Sequence, residues 1–277
     1  MSLTRRQLIT GAAFTALARR GDAQTETNPV RVRGTARACI FVNLNGGASH
    51  LDTWDPKDAP WNPADIDLQQ SAGGIVLSNT LFPQLSRLTS DLCILRSVSS
   101  WENAHDRGQF YMQTAHPSNP AFVAETPHLG AVAAFEKGGT GPLPPFLAPN
   151  GGAGQGATFL GGRMQPMGAP ANPGGLTTIE HNFYGNQSQS RFNDKFSFLA
   201  ELDGPLRSGA LDRNMADHAS YYESARQLMY DQAIASVFRF SNDETGRYGA
   251  TNIGRAAIVA RNAVRAKNGT VFINLVQ

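Results

Sequence analysis

Residues 38–57 read A-C-I-F-V-N-L-N-G-G-A-S-H-L-D-T-W-D-P-K, an apolar run from Ala38 to Leu44 that empties into a polar, glycine-bearing block from Asn45 to Lys57. The run is short, apolar on both faces and bounded by turn residues, as expected of a buried strand in a parallel sheet. Ligands of such sheets bind at the carboxyl ends of the strands, so Asn45, Ser49, His50, Asp52, Thr53 and Asp55 stand where chemistry is done.

Further along, Asp91 to Val98 (D-L-C-I-L-R-S-V) has the same character, and Phe82 to Leu88 before it has helical spacing with a proline near its start. The two runs and the segment between them read as strand, crossover helix, strand. Tyr222, Ala225, Met229, Ala233 and Val237 recur at helical spacing. A second helix is expected from Asn252 to Lys267, closed at Asn268-Gly269 and feeding a β-branched strand from Thr270 to Val276. The fold class is therefore α/β, a mainly parallel sheet with helices on both faces. Because a covering helix normally follows a buried parallel strand, the chain reads as incomplete at its carboxyl end.

Gly138 to Gly175 contains 12 glycines and 7 prolines, which no regular helix survives. It reads as a long excursion, and its glycines match neither G-x-G-x-x-G after a strand nor G-x-x-x-x-G-K-[ST]. A nucleotide cradle is not indicated.

At the other end, Thr4-Arg5-Arg6-Gln7-Leu8-Ile9 leads into an apolar stretch and the small-residue pattern Ala16-Leu17-Ala18. This reads as a twin-arginine export leader over residues 1–23, followed by a polar linker over 24–35 and the folded region over 36–277. The expected location is the periplasm or the cell exterior. No other segment has the ~20 apolar residues of a bilayer span. The 24 basic and 22 acidic residues give a formal net charge of +2 without long single-sign runs, so neither nucleic acid nor a membrane surface is an expected partner. The two cysteines, Cys39 and Cys93, lie inside apolar runs and read as buried free thiols.

Two constellations carry chemistry. The block Asn45 to Asp55 holds an amide, hydroxyls, an imidazole and two carboxylates, donors that suit a divalent ion or metal-assisted ester hydrolysis. The same Asp52 and Asp55 serve equally well as turn and helix caps. The second constellation, Ser97 to Gln109, follows the second expected strand. A helix starting near Asn103 or His105 would turn its first amides toward an anion, with Arg107 adding charge. His116, His128, His181 and His218 lack metal-type spacing; the last three are assigned structural or surface roles. No G-x-S-x-G elbow appears.

The leader with Arg5-Arg6, the block N-G-G-A-S-H-L-D-T-W-D-P-K, the segment L-C-I-L-R-S-V with His105 and G-Q-F-Y-M-Q-T-A-H-P, and R-Y-G-A-T-N-I-G-R-A-A-I-V-A-R-N-A-V resemble an uncharacterised bacterial family with twin-arginine leaders, placed in the alkaline phosphatase and sulfatase superfamily. The resemblance implies an alkaline phosphatase-like fold and a metal site at the strand ends. It implies Asn45, His50, Asp52 and His105 as candidate ligands of zinc, manganese, calcium or magnesium, and Ser49 or Thr53 as nucleophile or anion-binding hydroxyl. His105 and Arg107 would be further catalytic groups, Arg107 as oxyanion partner, and the substrate an anionic phosphate or sulfate ester. Where active members of the superfamily carry a metal-binding aspartate, this chain has the neutral Asn45, which favours a non-catalytic binding or scaffold role as the rival reading.

Overall fold

A computed structural model describes residues 34–71, 73–138, 141–151, 154–176, 189–208 and 230–277. The leader, most of the linker, Tyr222 to Met229 of the first expected helix, His181 and His218 lie outside the described residues. One compact unit, Ala38–Gln277, holds the sheet and its helices.

Four strands form one parallel sheet: β1 (Cys39–Asn43), β4 (Phe146–Ala148), β5 (Met167–Gly168) and β6 (Phe272–Val276), in the spatial order β1-β6-β4-β5. A separate antiparallel pair joins β2 (Leu68–Gln70) to β3 (Val76–Ser78). The helices are α1 (His105–Thr114), α2 (Leu129–Lys137), α3 (Gln189–Ser208), α4 (Gln232–Val237), α5 (Asn242–Tyr248) and α6 (Asn252–Ala266). The α/β class and the parallel sheet agree with the sequence pattern. None of the helices among the described residues is long and apolar enough to cross a membrane.

Successive side chains of a strand point to opposite faces, so neighbouring residues feed two separate cores. Leu147, Ile273 and Leu275 pack with Ile234 and Val237 of α4 and with Ala256, Val259, Ala260 and Ala263 of α6. Phe146 and Phe272, one residue before Leu147 and Ile273, pack with Ala131 and Ala134 of α2. Helices thus cover both faces. α6 forms because its small and apolar residues fall on one side and Thr251 caps its first turn, accepting from the Gly254 N–H at 3.1 Å. It ends on Lys267 in the left-handed region, one residue ahead of the expected Asn268-Gly269 cap.

Several expectations are corrected. Among the described residues β1 is an edge strand, not a buried one: it pairs there with β6 alone, and Ile40 and Val42 are 43% and 49% exposed because α4 and α6 cover its neighbours instead. Asp91 to Val98 is not a strand. Residues 85–91 form a 3₁₀ turn and residues 92–98 are irregular, with no strand alongside among the described residues to supply the ladder that a strand requires. Cys39 and Cys93 are free, but exposed rather than buried, for the same two reasons. The Gly/Pro-rich stretch, read as an excursion, instead delivers two strands of the sheet, β4 in its interior and β5 at its end. Phe146-Leu147-Ala148 is fully buried between Pro145 and Pro149.

His128 proves structural. It is fully buried and caps α2, its Nδ1 accepting from the Gly130 N–H at 2.8 Å, so the proton resides on Nε2. Nε2 has no hydrogen-bond partner among the described residues, and the ring packs against those of Phe146 and Phe272, with centroids 4.9 and 5.7 Å away. Burial pushes its pKa down to about 4. Between that value and the ordinary ~6.5, only the unfolded chain takes up the proton. The stability this group secures is complete above the ordinary value and is lost as pH falls toward 4, by about 3 kcal/mol in total. Denaturant titrations at stepped pH should show that loss, and His128→Asn, which keeps a capping acceptor but does not titrate, should be less stable at neutral pH and flatter over the window. At Gly254, a Cβ would overlap the carbonyl oxygens of Gly249 and Tyr248. Gly254→Ala is therefore expected to lower unfolding free energy by roughly 1–3 kcal/mol, read by the same titrations.

Candidate functional site

The ladder of β1 continues past its last strand residue: Gln277 donates its N–H to the Asn43 carbonyl at 3.0 Å, and Asn45 donates to the Gln277 carbonyl at 3.3 Å. Gly46 and Gly47 then turn the chain at φ +99° and +62°, where a side chain would be strained. Beyond the turn, the polar block is a compact knot. The Ser49 carbonyl accepts from the N–H groups of Asp52 and Thr53 and from the Thr53 hydroxyl at 2.7 Å, while Asp55 donates its N–H to the His50 carbonyl at 2.8 Å. Thr53 therefore commits its proton locally. Ser49 and His50 are exposed, and Asp52 is half-buried.

Asp55 belongs to a different group of charges. Its carboxylate meets Lys57 at 2.8 Å and Arg96 at 3.2 Å, and the Arg96 Nε also donates to the Trp54 carbonyl. The Lys57 hydrogen bond foremost, with the charges of Lys57, Arg96 and His50, holds the Asp55 carboxyl below its ordinary range. A cleft of about 640 Å³ opens beside it, lined by His50, Trp54 and Asp55 on one side and by Leu92–Arg96 and Val98 on the other. That volume suits a small molecule.

The second constellation starts a helix where expected, at His105, but its anion position is already filled. Glu102 accepts from the N–H groups of Asn103 and Ala104 at 3.1 Å each and pairs with the Arg107 Nε at 2.9 Å. Arg107 is the first cause of the lowered pKa of Glu102, and Glu102 raises that of Arg107 in return. The sequence pattern alone did not single out Glu102, although an acid three residues before the first helical position is itself a capping signal. The expected role of Arg107 as an oxyanion partner meets an internal carboxylate in that place.

The two constellations nevertheless approach each other. A Cβ built at Gly47 would lie 3.7 Å from the His105 Cε1, so the exposed imidazole at the start of α1 sits against the turn after β1. Among the described residues, no three His, Cys, Asp or Glu side chains converge to hold a metal ion.

Two residues that the sequence pattern did not flag lie just inside the sheet. Asn274, in the middle of β6, is fully buried, and neither of its side-chain polar atoms nor the buried Asn43 Nδ2 has a hydrogen-bond partner among the described residues. The signal was a single amide in each of two apolar runs, F-V-N-L and F-I-N-L. A further cleft, about 330 Å³, lies at the ends of β4 and β5 and is lined by Asn150, Asn172, Asn252 and Arg255 among others.

Fold and site define an α/β protein with a parallel sheet, whose polar groups gather in the loops beyond the carboxyl end of β1. A family model described as "Protein of unknown function (DUF1501)" matches residues 36–277, and the chain belongs to that family. No curated protein and no solved structure matches it.

The Asp55 cluster makes a direct prediction. Its carboxyl should titrate below the ordinary ~3.9, and in Lys57→Met it should rise toward that value, as followed by carboxyl-carbon NMR.

Proposed function

We propose that this chain is an exported protein of the alkaline phosphatase and sulfatase superfamily that binds an anionic phosphate or sulfate ester beyond β1 and hydrolyses it. The observation that supports this reading most directly is the approach of His105 to Gly47, which joins two polar segments 58 residues apart at one strand end. Ser49 is the hydroxyl of that block whose proton is not committed to the turn, and it serves as the nucleophile or the anion-binding group. His105 accepts or returns the proton, and His50 stands over the adjoining cleft. The superfamily reading carries a divalent metal with it, but the described donor set does not complete one, so no step is placed on a metal.

One observation favours the rival, a binding or scaffold protein that keeps the fold without the chemistry. Arg107 is neutralised by Glu102, and Asn45 is neutral, so the site has little charge left with which to stabilise a transition state.

The test measures hydrolysis of p-nitrophenyl phosphate and p-nitrophenyl sulfate by the full chain, with and without added zinc, manganese, calcium or magnesium. Turnover that falls roughly 100-fold or more in Ser49→Ala and His105→Ala, with unchanged melting temperatures, would support the hydrolase. No turnover with any ion, together with a melting temperature raised by phosphate or sulfate, would replace it with the binding reading.

A further inference from the structure

A second cleft of about 330 Å³ adjoins the one at the ends of β4 and β5, sharing Gly151 and Gly168 with it, and its described lining carries no charged side chain. Its polar groups are fixed in kind by bonds they make to the neighbouring loops. Gln155 uses both hydrogens of its Nε2 on the Val123 and Thr126 carbonyls, at 2.6 and 2.7 Å, so its Oε1 remains an acceptor. Gln165 accepts from the Ala157 N–H through Oε1 at 3.1 Å, so its Nε2 remains a donor. Two glycines of the wall let amides come against the backbone: a Cβ at Gly156 would lie 2.5 Å from the Gln165 Oε1, and one at Gly154 would lie 2.5 Å from the Gln113 Oε1. Gln113, near the end of α1, is 5% exposed, and its carboxamide has no hydrogen-bond partner among the described residues, although burying such a group unpaired is costly. Asn274 repeats that defect next door. Phe146 pairs with Phe272 and Leu147 with Ile273, so the next rung sets the buried, unpartnered Asn274 amide beside Ala148, on the face where Ala148 lines the cleft.

We propose that this cleft binds a neutral sugar, a pyranose unit whose hydroxyls meet the Gln155 acceptor, the Gln165 donor and the Gln113 amide that Gly154 leaves uncovered. A hydroxyl both donates and accepts, so neighbouring ring hydroxyls satisfy an acceptor and a donor held in one cleft. An anion would meet the Gln155 Oε1 without a countercharge, and a cation would find no carboxylate. An apolar ligand would desolvate these amides and leave them unpaired. A volume of about 330 Å³ suits one ring with its substituents. Because β4 stands two strands from β1, sugar binding here does not depend on chemistry at the polar block.

The test is an NMR titration of the full chain with glucose, galactose, mannose and N-acetylglucosamine, and with glucose 6-phosphate as the charged comparison. At least one neutral sugar should bind with a Kd of roughly 1–10 mM, and glucose 6-phosphate no more tightly than glucose. Gln165→Glu keeps the acceptor for Ala157 but removes the donor, and should weaken the bound sugar roughly 5-fold. Gln113→Met separates a binding amide from a structural one. It should raise the melting temperature, because a buried unpaired amide is gone, and weaken the same sugar by a similar roughly 5-fold. Binding by none of the four neutral sugars, tighter binding of glucose 6-phosphate than of glucose, or unchanged sugar affinity in either variant would overturn the proposal. No ester is hydrolysed in these measurements, so their failure is distinct from failure of the hydrolase reading.

Discussion

Phe272–Val276 pairs with Cys39–Asn43 on one side and with Phe146–Ala148 on the other, and this double ladder ties the first third of the folded region to its middle through its last residues. The contact is of very long sequence separation, so loop closure must be paid before it forms. What fixes it is aromatic. Phe41 stacks on Phe272 at 6.1 Å, Phe146 meets Phe272 edge-on at 5.4 Å, and His128 lies against both Phe146 and Phe272. A one-residue slip of β6 would exchange Phe272 for Ile273 in this cluster and turn Asn274 from one core into the other.

The polar segments around the sheet are largely self-satisfied. Ser49 collects the donors of its own turn, Glu102 occupies the amides and the arginine that an external anion would use, and Asp55 is shared between Lys57 and Arg96. Such local pairing lets short, glycine-turned loops hold shape without a core beneath them. It also concentrates the uncommitted polar groups in a few positions: the hydroxyl of Ser49, the imidazoles of His50 and His105, and the buried amides of Asn43 and Asn274.

The elements that could be read in the sequence were those whose pattern is decided locally. α6, with a capping threonine and a clean apolar side, and β6, a β-branched apolar run, appear within a residue or two of their expected limits. The start of α1 at His105 was equally legible. The failures share a physical cause, which is that pairing is not written in a strand's own residues. Cys39–Asn43 and Leu92–Val98 look alike as strings, but among the described residues only the first has a neighbouring strand. Phe146-Leu147-Ala148 was hidden among glycines and prolines, because three residues are too few to show a period. The site was legible as a location, not as an arrangement: nothing in the residue types announces that Glu102 takes Arg107 for itself.

At the end of β4 the side chain of Asn150 stands in for backbone, its Nδ2 donating to the Val276 carbonyl and its Oδ1 accepting from the Val276 N–H. A side-chain amide therefore completes the last rung of β6 while the main chain, turned by Pro149 and by Gly151 at φ +74°, departs from the sheet. That substitution ties the sheet to the chemical lifetime of one amide. An asparagine followed by glycine is the sequence most prone to lose its side-chain nitrogen, and the carboxylate left behind would set a charge against the Val276 carbonyl where a donor had been. Loss of that side-chain nitrogen would thus be felt at a hydrogen bond of β6, and so at the carboxyl end of the sheet where its clefts open.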